Sequence, residues 1–227
     1  MSEKRYLRNL GAITEKEQEL LSGSSVAVIG CGGLGGSVIA NLVRLGVGHI
    51  TAVDMDSFDE SNLNRQLLCT VDNIGLPKAE VAERFAAAVN PEIELKGVNA
   101  RFDEDSAAEI LRGASLVIDA LDNIESRRVL AGACDALGLP LIHGAIRSWY
   151  AQVAVLPAGG VERGIRAIYP NEAAAEDKSC LAFTPSVCAG IQCAEAVKLL
   201  LGRGTELVDS LMFVDLLNSE CEIIPLI

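Results

Sequence analysis

Glycines occupy four of the six positions 30–35 and form the first segment whose residues suggest chemistry: Gly30, Gly32, Gly33 and Gly35. The segment fits the pattern G-x-G-x-x-G. In this pattern the first glycine permits a tight turn, the second lets a phosphate approach bare backbone, and the third lets a helix pack closely on a strand. The helix N-terminus then directs N–H groups at the anion. The segment predicts a nucleotide site, although a turn needed only for packing is the alternative, and the motif does not distinguish NAD from ATP.

Acidic residues follow the next apolar stretch, residues 49–54. Asp54 closes this stretch 24 positions after Gly30. A carboxylate at that place can accept hydrogen bonds from ribose hydroxyls. Asp56 comes two residues later, so both carboxylates are candidates for the same nucleotide site.

Two cationic residues lie further along the chain. Arg65 belongs to the polar segment 61–66, and Lys78 comes twelve residues after Gln66. If both side chains reach the glycine segment, they supply cationic donors for a triphosphate, as phosphoryl or nucleotidyl transfer requires. Hydride transfer to a nicotinamide needs no such pair, so the pair favours ATP chemistry over dehydrogenation. Taken singly, Arg65 could form a surface salt bridge and Lys78 could be a solvated lysine in a first helical turn.

Asp122 follows a further apolar stretch, residues 116–119. Catalytic and metal-binding groups of open parallel sheets lie at the carboxyl ends of the strands, and a carboxylate there can hold Mg²⁺. The alternative is that Asp122 caps the helix predicted over residues 124–137. We expect Asp122, Arg65 and Lys78 to share one phosphate site.

The elements that must position these residues alternate between strands and helices. Strands are predicted over 26–29, 49–54, 92–99, 116–119 and 140–143, with helices over 34–45, 79–88, 107–111 and 124–137 between them. This alternation predicts an α/β fold with a Rossmann-like, doubly wound and mostly parallel sheet. The stretch 150–156 ends in Pro-Ala-Gly-Gly, as a strand of a hairpin does, and C-terminal strands over 211–217 and 221–227 are expected to be antiparallel.

The chain is expected to form a single domain over residues 1–227. Residues 1–22 are predicted to be an arm followed by a short helix, which begins with the capping-box pair Thr14 and Glu17. Residues 160–182 contain glycine, proline and a small acidic patch, and are predicted to form an irregular, mobile loop. A helix is predicted to follow over residues 186–201.

Composition limits the class of protein. The 227 residues are enough for a sizeable core, and 19 basic against 31 acidic side chains give a net charge of −12. Such a chain binds nucleic acid only through a local basic patch, and no run of Lys or Arg is present. No apolar run has the length of a membrane span, and the first nine residues are polar, unlike a signal peptide. Seven cysteines, an odd number, indicate reduced thiols and a cytoplasmic protein.

An ordered set of motifs in this sequence resembles the HesA/MoeB/ThiF family, relatives of the ubiquitin-activating enzymes. The resemblance covers nearly the whole chain. Its motifs are Arg5-Tyr6-x-Arg8, the segment 30–35, Asp54-x-Asp56, Ser61-Asn-Leu-Asn-Arg-Gln66, Gly75-x-Pro-Lys78, Asn90-Pro91, Asp122-Asn123 and Gln192-x-x-Glu195-Ala-x-Lys198. The glycine segment alone is weak support, whereas the ordered set is specific.

The resemblance implies an adenylyltransferase. Such an enzyme uses ATP and Mg²⁺ to activate the C-terminal carboxylate of a ubiquitin-like sulfur-carrier protein ending in Gly-Gly, in thiamine- or molybdopterin-type sulfur metabolism. An acyl-adenylate and pyrophosphate are formed. The alternatives are a relative that activates a peptide or the threonylcarbamoyl group of tRNA, or a non-catalytic nucleotide-binding scaffold. The acidic charge argues against tRNA.

The same resemblance implies roles for individual residues. It assigns the ribose to Asp54, phosphates to Asn62, Arg65 and Lys78 with support from Gln66, and Mg²⁺ to Asp122. It also implies a homodimer with composite sites, in which Arg8 reaches the γ-phosphate bound by the neighbouring subunit. Arg147 and Trp149 would contact the carrier's tail, and His143 is expected to be structural.

The cysteines depart from the family pattern. Many members hold zinc with two C-x-x-C pairs, but residues 164–167 contain no cysteine and Cys221 stands alone near the C-terminus. Tetrahedral zinc needs four ligands, so no structural zinc is expected. The resemblance places Cys180 in the loop whose cysteine can form a thioester or acyl-persulfide, with Lys178 lowering its pKa; an idle thiol is the alternative. Cys188 and Cys193 are expected in the core.

Overall fold

One eight-stranded sheet, in the order β3-β2-β1-β4-β5-β6-β7-β8, forms the centre of the computed structural model. The structure describes residues 4–171 and 179–226. The first five strands run parallel: β1 (Ser25–Ile29), β2 (His49–Val53), β3 (Glu94–Val98), β4 (Leu116–Asp119) and β5 (Leu141–Arg147). The order reverses direction between β1 and β4, which is the position where open sheets of this type bind ligands.

The remaining strands are antiparallel: β6 (Tyr150–Leu156), β7 (Ser210–Asp215) and β8 (Glu220–Pro225). The expected antiparallel C-terminal strands are confirmed. The strand predicted over 150–156 is confirmed and belongs to a hairpin. Its tight turn does not lie at residues 157–160 but at the other end of β6. It consists of Ser148 and Trp149 and joins β5 to β6, with Ser148 at a φ of 52°.

Helices cover both faces of the sheet, and two apolar clusters lie beneath them. One face carries α2 (Gly33–Leu45), α3 (Lys78–Val89) and α7 (Phe183–Leu200), and the other carries α4 (Glu104–Ile110), α5 (Ile124–Leu137) and α6 (Val161–Ile168). The doubly wound α/β fold is therefore confirmed. Cys188 and Cys193 are buried in the first cluster, as predicted.

The N-terminal helix α1 (Glu15–Ser22) begins with the predicted capping box. The Thr14 hydroxyl accepts from the Glu17 backbone N–H at 3.2 Å, and the Glu17 carboxylate accepts from the Thr14 N–H at 2.8 Å. Two short 3₁₀ turns, Glu60–Asn62 and Val71–Asn73, connect β2 to α3.

The prediction of an irregular loop over residues 160–182 is wrong for its first half, because α6 forms there. Its N-terminus is capped from another helix: the Asp135 carboxylate of α5 accepts from the N–H groups of Val161 at 3.0 Å and Glu162 at 2.9 Å. Val161 and Ile165 fill the second cluster. Because the cap comes from a distant residue, the local sequence carries no sign of it. Residues 172–178 lie outside the described part of the chain.

Candidate active site

The glycine turn lies between the end of β1 and the start of α2, at the point where the strand order reverses. Gly30 has a φ of +104°, and a Cβ at this position would lie 2.6 Å from the carbonyl oxygen of Ala120. A Cβ on Gly35 would overlap the Gly30 carbonyl oxygen. A side chain at the first or the third motif glycine would collide with neighbouring backbone, so both positions require glycine. Helix α2 begins directly within this turn.

Asp54 is tied directly to this turn. One carboxylate oxygen accepts from the Cys31 N–H at 2.7 Å, and the other accepts from the Asp56 N–H at 2.9 Å. Burial raises the pKa of Asp54, and those two hydrogen bonds and the charge of Lys78 oppose the rise. The carboxylate thus lies at the floor of the turn, where it can meet polar groups of a nucleotide.

Lys78 is the first residue of α3, and its side chain is buried, with 9% exposed. Its Nζ lies 3.2 Å from Asp56 Oδ2, and its backbone N–H donates to the Asp56 carbonyl at 2.9 Å. The solvated-lysine interpretation is therefore wrong. A buried cation with a half-exposed partner is well placed to exchange that partner for a stronger anion such as a phosphate.

Arg65 and Gln66 lie against the glycine turn. A Cβ on Gly33 would be 3.5 Å from Arg65 Cγ, and a Cβ on Gly32 would be 3.6 Å from Gln66 Nε2. Arg65 Nη1 donates to the Ser61 carbonyl at 3.1 Å, and among the described residues Arg65 makes no ion pair. Its guanidinium is thus available to an anionic ligand.

The Gln66 side chain is buried, and its Oε1 has no hydrogen-bond partner within residues 4–171 and 179–226. A buried amide oxygen without a partner is unusual and indicates a group that meets a ligand or water. Asn62 is also buried, but its amide oxygen already accepts from the Asp59 N–H at 3.1 Å within the 3₁₀ turn. Asn62 therefore has a local structural role that its sequence did not reveal.

Asp122 is exposed in the turn between β4 and α5. It is not the helix cap, because Asn123 caps α5 by accepting from the Ser126 N–H at 2.8 Å. The only hydrogen bond to the Asp122 carboxylate within the described chain comes from Asn123 Nδ2, at 3.2 Å. No three His, Cys, Asp or Glu side chains of residues 4–171 and 179–226 are grouped to hold a metal. The donor set fits Mg²⁺ that takes one carboxylate here and its other ligands from phosphates and water.

Arg8 does not lie at this site within its own chain. Tyr6 is buried beside Gly46 at the far end of α2, and its hydroxyl accepts from Asn90 Nδ2 at 2.8 Å. The 13 residues of α2 separate that end from the glycine turn by about 20 Å. Arg8, two residues after Tyr6, is exposed at the opposite edge of the sheet.

Cys180 is brought close to the site. Its carbonyl accepts from Asn64 Nδ2 at 3.2 Å, and its backbone pairs with Ser148. Burial raises the pKa of the Cys180 thiol, and the charge of Arg65 opposes that rise. The described surroundings therefore raise the pKa rather than lower it; Lys178 lies outside the described residues. Trp149 packs against Phe183 nearby, with ring centroids 5.1 Å apart, and Arg147 is exposed at the end of β5.

A buried polar network beneath the Asp122 turn was not predicted. Asp119 ends β4 with no exposed surface; its Oδ2 accepts from Arg127 Nε at 3.1 Å and from His143 Nδ1 at 2.7 Å. Tyr169, at the end of α6, accepts from Arg127 Nη1 at 3.2 Å and from Gln152 Nε2 at 2.8 Å. The one signal in the sequence is an aspartate that ends an otherwise apolar strand.

The charges of this network are balanced. Burial would raise the pKa of Asp119, but Arg127 and the His143 hydrogen bond outweigh it and lower the pKa, so the carboxylate is ionised. Burial lowers the pKa of His143. The neutral ring donates from Nδ1 to Asp119 and accepts at Nε2 from the Tyr169 hydroxyl, 3.2 Å away. His143 thus has the expected structural role.

Comparison with known proteins gives three findings. The family model described as "ThiF family" matches residues 6–226. The chain is 36% identical over 227 residues to the "SAMP-activating enzyme E1" of Haloferax volcanii (97% of this chain, 84% of the relative). It is 37% identical over 227 residues to the "Sulfur carrier protein adenylyltransferase" of Thermus thermophilus (95% and 84%).

Among solved structures, the fold is similar to that of Escherichia coli MccB, crystallised with AMPCPP and MccA. The TM-score is 0.81 at 21% identity, covering 99% of this chain and 72% of that one. At this identity the likeness concerns the fold alone. No helix among residues 4–171 and 179–226 combines the length and apolar character needed to cross a membrane.

Proposed function

The chain belongs to the ThiF family, and we propose that it is an adenylyltransferase that uses ATP to activate the C-terminal carboxylate of a ubiquitin-like sulfur-carrier protein. The names of two relatives at 36% and 37% identity, an activating enzyme and a sulfur-carrier adenylyltransferase, support an adenylyltransferase acting on such a carrier. The observation that carries the proposal is that two cations lie around the glycine turn. Arg65, which has no ion pair within the described residues, lies against Gly33. Buried Lys78 pairs with Asp56, whose N–H donates to the Asp54 carboxylate that holds the Cys31 N–H of the turn.

This arrangement of cations favours a triphosphate over a dinucleotide. A pyrophosphate bridge carries less charge than a triphosphate and is usually held by helix N–H groups. Two cationic side chains beside the turn add charge where nucleotidyl transfer develops it. Asp54, at the floor of the turn, is suited to accept from ribose hydroxyls, and the Gln66 amide oxygen, which has no partner in the described part of the chain, adds to the polar lining.

The reaction follows from these placements. An oxygen of the substrate carboxylate attacks the α-phosphorus of ATP, and a new O–P bond forms as the bond to the β-phosphate oxygen breaks. Pyrophosphate leaves with the electron pair of that bond. Arg65 and Lys78 offset the negative charge that builds on the phosphates, which is usually the largest contribution to such catalysis. Asp122 would hold Mg²⁺, which when bound supplies further charge neutralisation at the phosphates.

We propose a homodimer, because the role proposed for Arg8 requires a second subunit. Because Arg8 lies at the end of α2 opposite the glycine turn, it can meet a γ-phosphate only in another subunit's site. The composite site then contains Arg8 from one subunit and Arg65, Lys78 and Asp122 from the other.

The cytoplasmic location that we propose is supported by seven cysteines, all of them free.

Cys180 is proposed as a thiol that takes over the activated acyl group. Its sulfur attacks the carbonyl carbon of the acyl-adenylate, the bond to the phosphate oxygen breaks, AMP leaves, and a thioester remains. The contact of its carbonyl with Asn64 and the effect of the Arg65 charge on its pKa support this proposal. Because burial raises its pKa, the thiol must give its proton to a base during attack. Sulfur transfer that persists in Cys180→Ser would show that this thiol is idle.

The test is ATP–pyrophosphate exchange with purified candidate carriers that end in Gly-Gly. We expect exchange to require both the carrier and its intact C-terminal carboxylate. Exchange supported by a short peptide or by threonylcarbamoyl-modified tRNA, and by no carrier, would replace this proposal with a different carboxylate substrate. ATP binding without exchange would identify a scaffold, and NAD binding that ATP does not compete away would overturn the ATP assignment.

A further inference from the structure

The two residues before Asp122 are held from both sides. On one side the Ala120 N–H donates to the Ile29 carbonyl at 2.9 Å, and the Ala120 carbonyl oxygen lies where a Cβ on Gly30 would come within 2.6 Å. On the other side both backbone groups of Leu121 are engaged. Its N–H donates to Asp119 Oδ1 at 2.9 Å, and its carbonyl accepts from Arg127 Nη2. The segment 120–121 is thus packed between the glycine turn on one side and Asp119 and Arg127 of the buried network on the other.

The Arg127 guanidinium uses all three of its nitrogens in this arrangement. Nε donates to Asp119, Nη1 donates to the Tyr169 hydroxyl, and Nη2 donates to the carbonyls of Leu121 and Gly144. Only the planar fork of an arginine can reach these partners together, because a lysine ammonium is a single point on a flexible stem. The residue is 6% exposed.

Stability alone does not account for this pair. Burying a carboxylate and a guanidinium costs desolvation that their attraction only roughly offsets, and apolar replacements of such pairs are often neutral or stabilising. What the Asp119–Arg127 pair does here is to fix the backbone immediately before the exposed carboxylate of Asp122, in a segment whose Ala120 carbonyl lies against Gly30 of the glycine turn. Groups behind a metal-binding side chain commonly set its geometry and affinity.

We propose that Arg127 and Asp119 are positioning residues that hold the Asp122 turn in the geometry needed to bind the Mg²⁺ that accompanies the nucleotide, with Tyr169 keeping Arg127 in place. This inference rests on the proposed function for the identity of the ligands. The juxtaposition that carries it is the clamping of Leu121, through its N–H by Asp119 and through its carbonyl by Arg127.

The first experiment compares ATP binding by calorimetry, with Mg²⁺ and with EDTA, for the full chain and the variant Arg127→Lys. We expect ATP affinity in EDTA to be unchanged and the gain in affinity from Mg²⁺ to fall by about 10-fold to 100-fold. Arg166→Lys is the matched control, because Arg166 is an exposed arginine of α6 that pairs only with Glu162 among the described residues; it should behave like the wild type. Asp122→Asn should lose the Mg²⁺ gain.

The second experiment measures amide hydrogen exchange over residues 119–124 without any ligand. Arg127→Lys should raise the exchange rates of Leu121 and Asp122, whereas Arg166→Lys should not. If Arg127→Lys fails to fold, Tyr169→Phe serves instead: it removes only the hydroxyl that contacts Arg127 Nη1 and should shift both readouts in the same direction by a smaller factor.

Equal losses of ATP affinity in Mg²⁺ and in EDTA, or unchanged exchange rates at Leu121, would overturn the inference and leave Arg127 as an ordinary core residue. The proposed function fails differently. A wild-type protein that binds MgATP with the expected gain but supports no pyrophosphate exchange with any carrier would refute the carrier reaction and leave the positioning role standing.

Discussion

Arg127 and Asp119 form an ion pair, 3.1 Å from Nε to Oδ2, with almost no exposed surface on either partner, directly beneath the turn that carries Asp122. The aspartate ends a strand of the sheet, and the arginine comes one turn into the helix that follows. The pair therefore joins the start of α5 to the end of β4 and fixes the length and shape of the connection between them. The exposed Asp122 carboxylate lies on this rigid support.

Lys78→Met should reduce ATP–pyrophosphate exchange by about 10²- to 10³-fold, the usual effect of removing one preorganised donor from a transition state. The reason is that its ammonium is buried and pairs with Asp56, which is joined through the Asp54 carboxylate to the glycine turn. Lys96→Met is the matched control, since Lys96 is exposed on β3. Initial exchange rates at saturating carrier measure the effect. If the exchange rate of Lys78→Met is within twofold of the wild-type rate, Lys78 does not act at the site.

Gly35→Ala and Gly190→Ala should have opposite effects on the free energy of unfolding. A Cβ on Gly35 collides with the Gly30 backbone, so we expect a loss of about 1–3 kcal/mol or more together with weaker ATP binding. Gly190 lies exposed within α7, and a Cβ there meets nothing within 4 Å. Alanine should stabilise that helix by about 0.5–1 kcal/mol. Chemical denaturation of both variants measures the two changes in the free energy of unfolding. Equal changes in the two variants would contradict the prediction.

Asp122→Asn and Asn123→Ala separate a role in the site from a role in the helix. Asn123 caps α5, so its removal should lower the free energy of unfolding by about 1 kcal/mol. Asp122 has no capping role, so Asp122→Asn should leave thermal stability unchanged while pyrophosphate exchange falls by about 100-fold. Thermal unfolding and exchange rates of both variants measure this. Destabilisation by Asp122→Asn without loss of exchange would refute the metal assignment.

Acid should destabilise the protein because His143 is buried in its neutral form. Burial lowers the pKa of His143 in the folded chain, whereas a histidine of the unfolded chain titrates near about 6.5. Below that pH the unfolded chain binds a proton that the folded chain does not. The stability associated with this residue is therefore present above about pH 6.5 and is lost as the pH falls through the folded pKa.

Denaturant unfolding at several pH values below neutrality checks this behaviour. His143→Gln should flatten the pH dependence even if it lowers stability overall. His49→Gln is the matched control, since His49 is an exposed histidine at the start of β2, and it should keep the wild-type slope. Identical slopes in His143→Gln and wild type would show that another group causes the acid loss.

Arg8→Ala and Lys78→Met should complement each other if the site is shared between subunits. Each homodimer lacks one essential cation at both sites, but a mixed dimer contains one intact site. Random reassortment of an equal mixture makes half of the dimers mixed, so about a quarter of wild-type exchange should return. Exchange assays after subunit mixing measure the recovery. No recovery, with mixed dimers shown to form, would place Arg8 outside a shared site.

Local patterns in the chain were enough to predict most elements and to single out several candidate site residues that the structure brings together. Glycines at 30, 32 and 35, the aspartates at strand ends and the capping box at Thr14 act through neighbours in the sequence or through strand polarity, and the structure places them accordingly. The alternation of strands and helices likewise predicted the doubly wound sheet. In these cases the residues that determine a structural feature lie close together in the sequence.

Other features depend on partners far apart in the chain. Helix α6 is capped by Asp135 and packed on α5, Arg8 is carried away from the glycine turn by Tyr6, and Arg127 meets Tyr169 across 42 positions of sequence. The local sequence around each of these residues looks like a loop, an arm or a surface charge. The roles of these residues are determined by burial and by long-range hydrogen bonds. The energy of a buried polar group depends on its hydrogen-bond partners, and here those partners are brought close only by the tertiary fold.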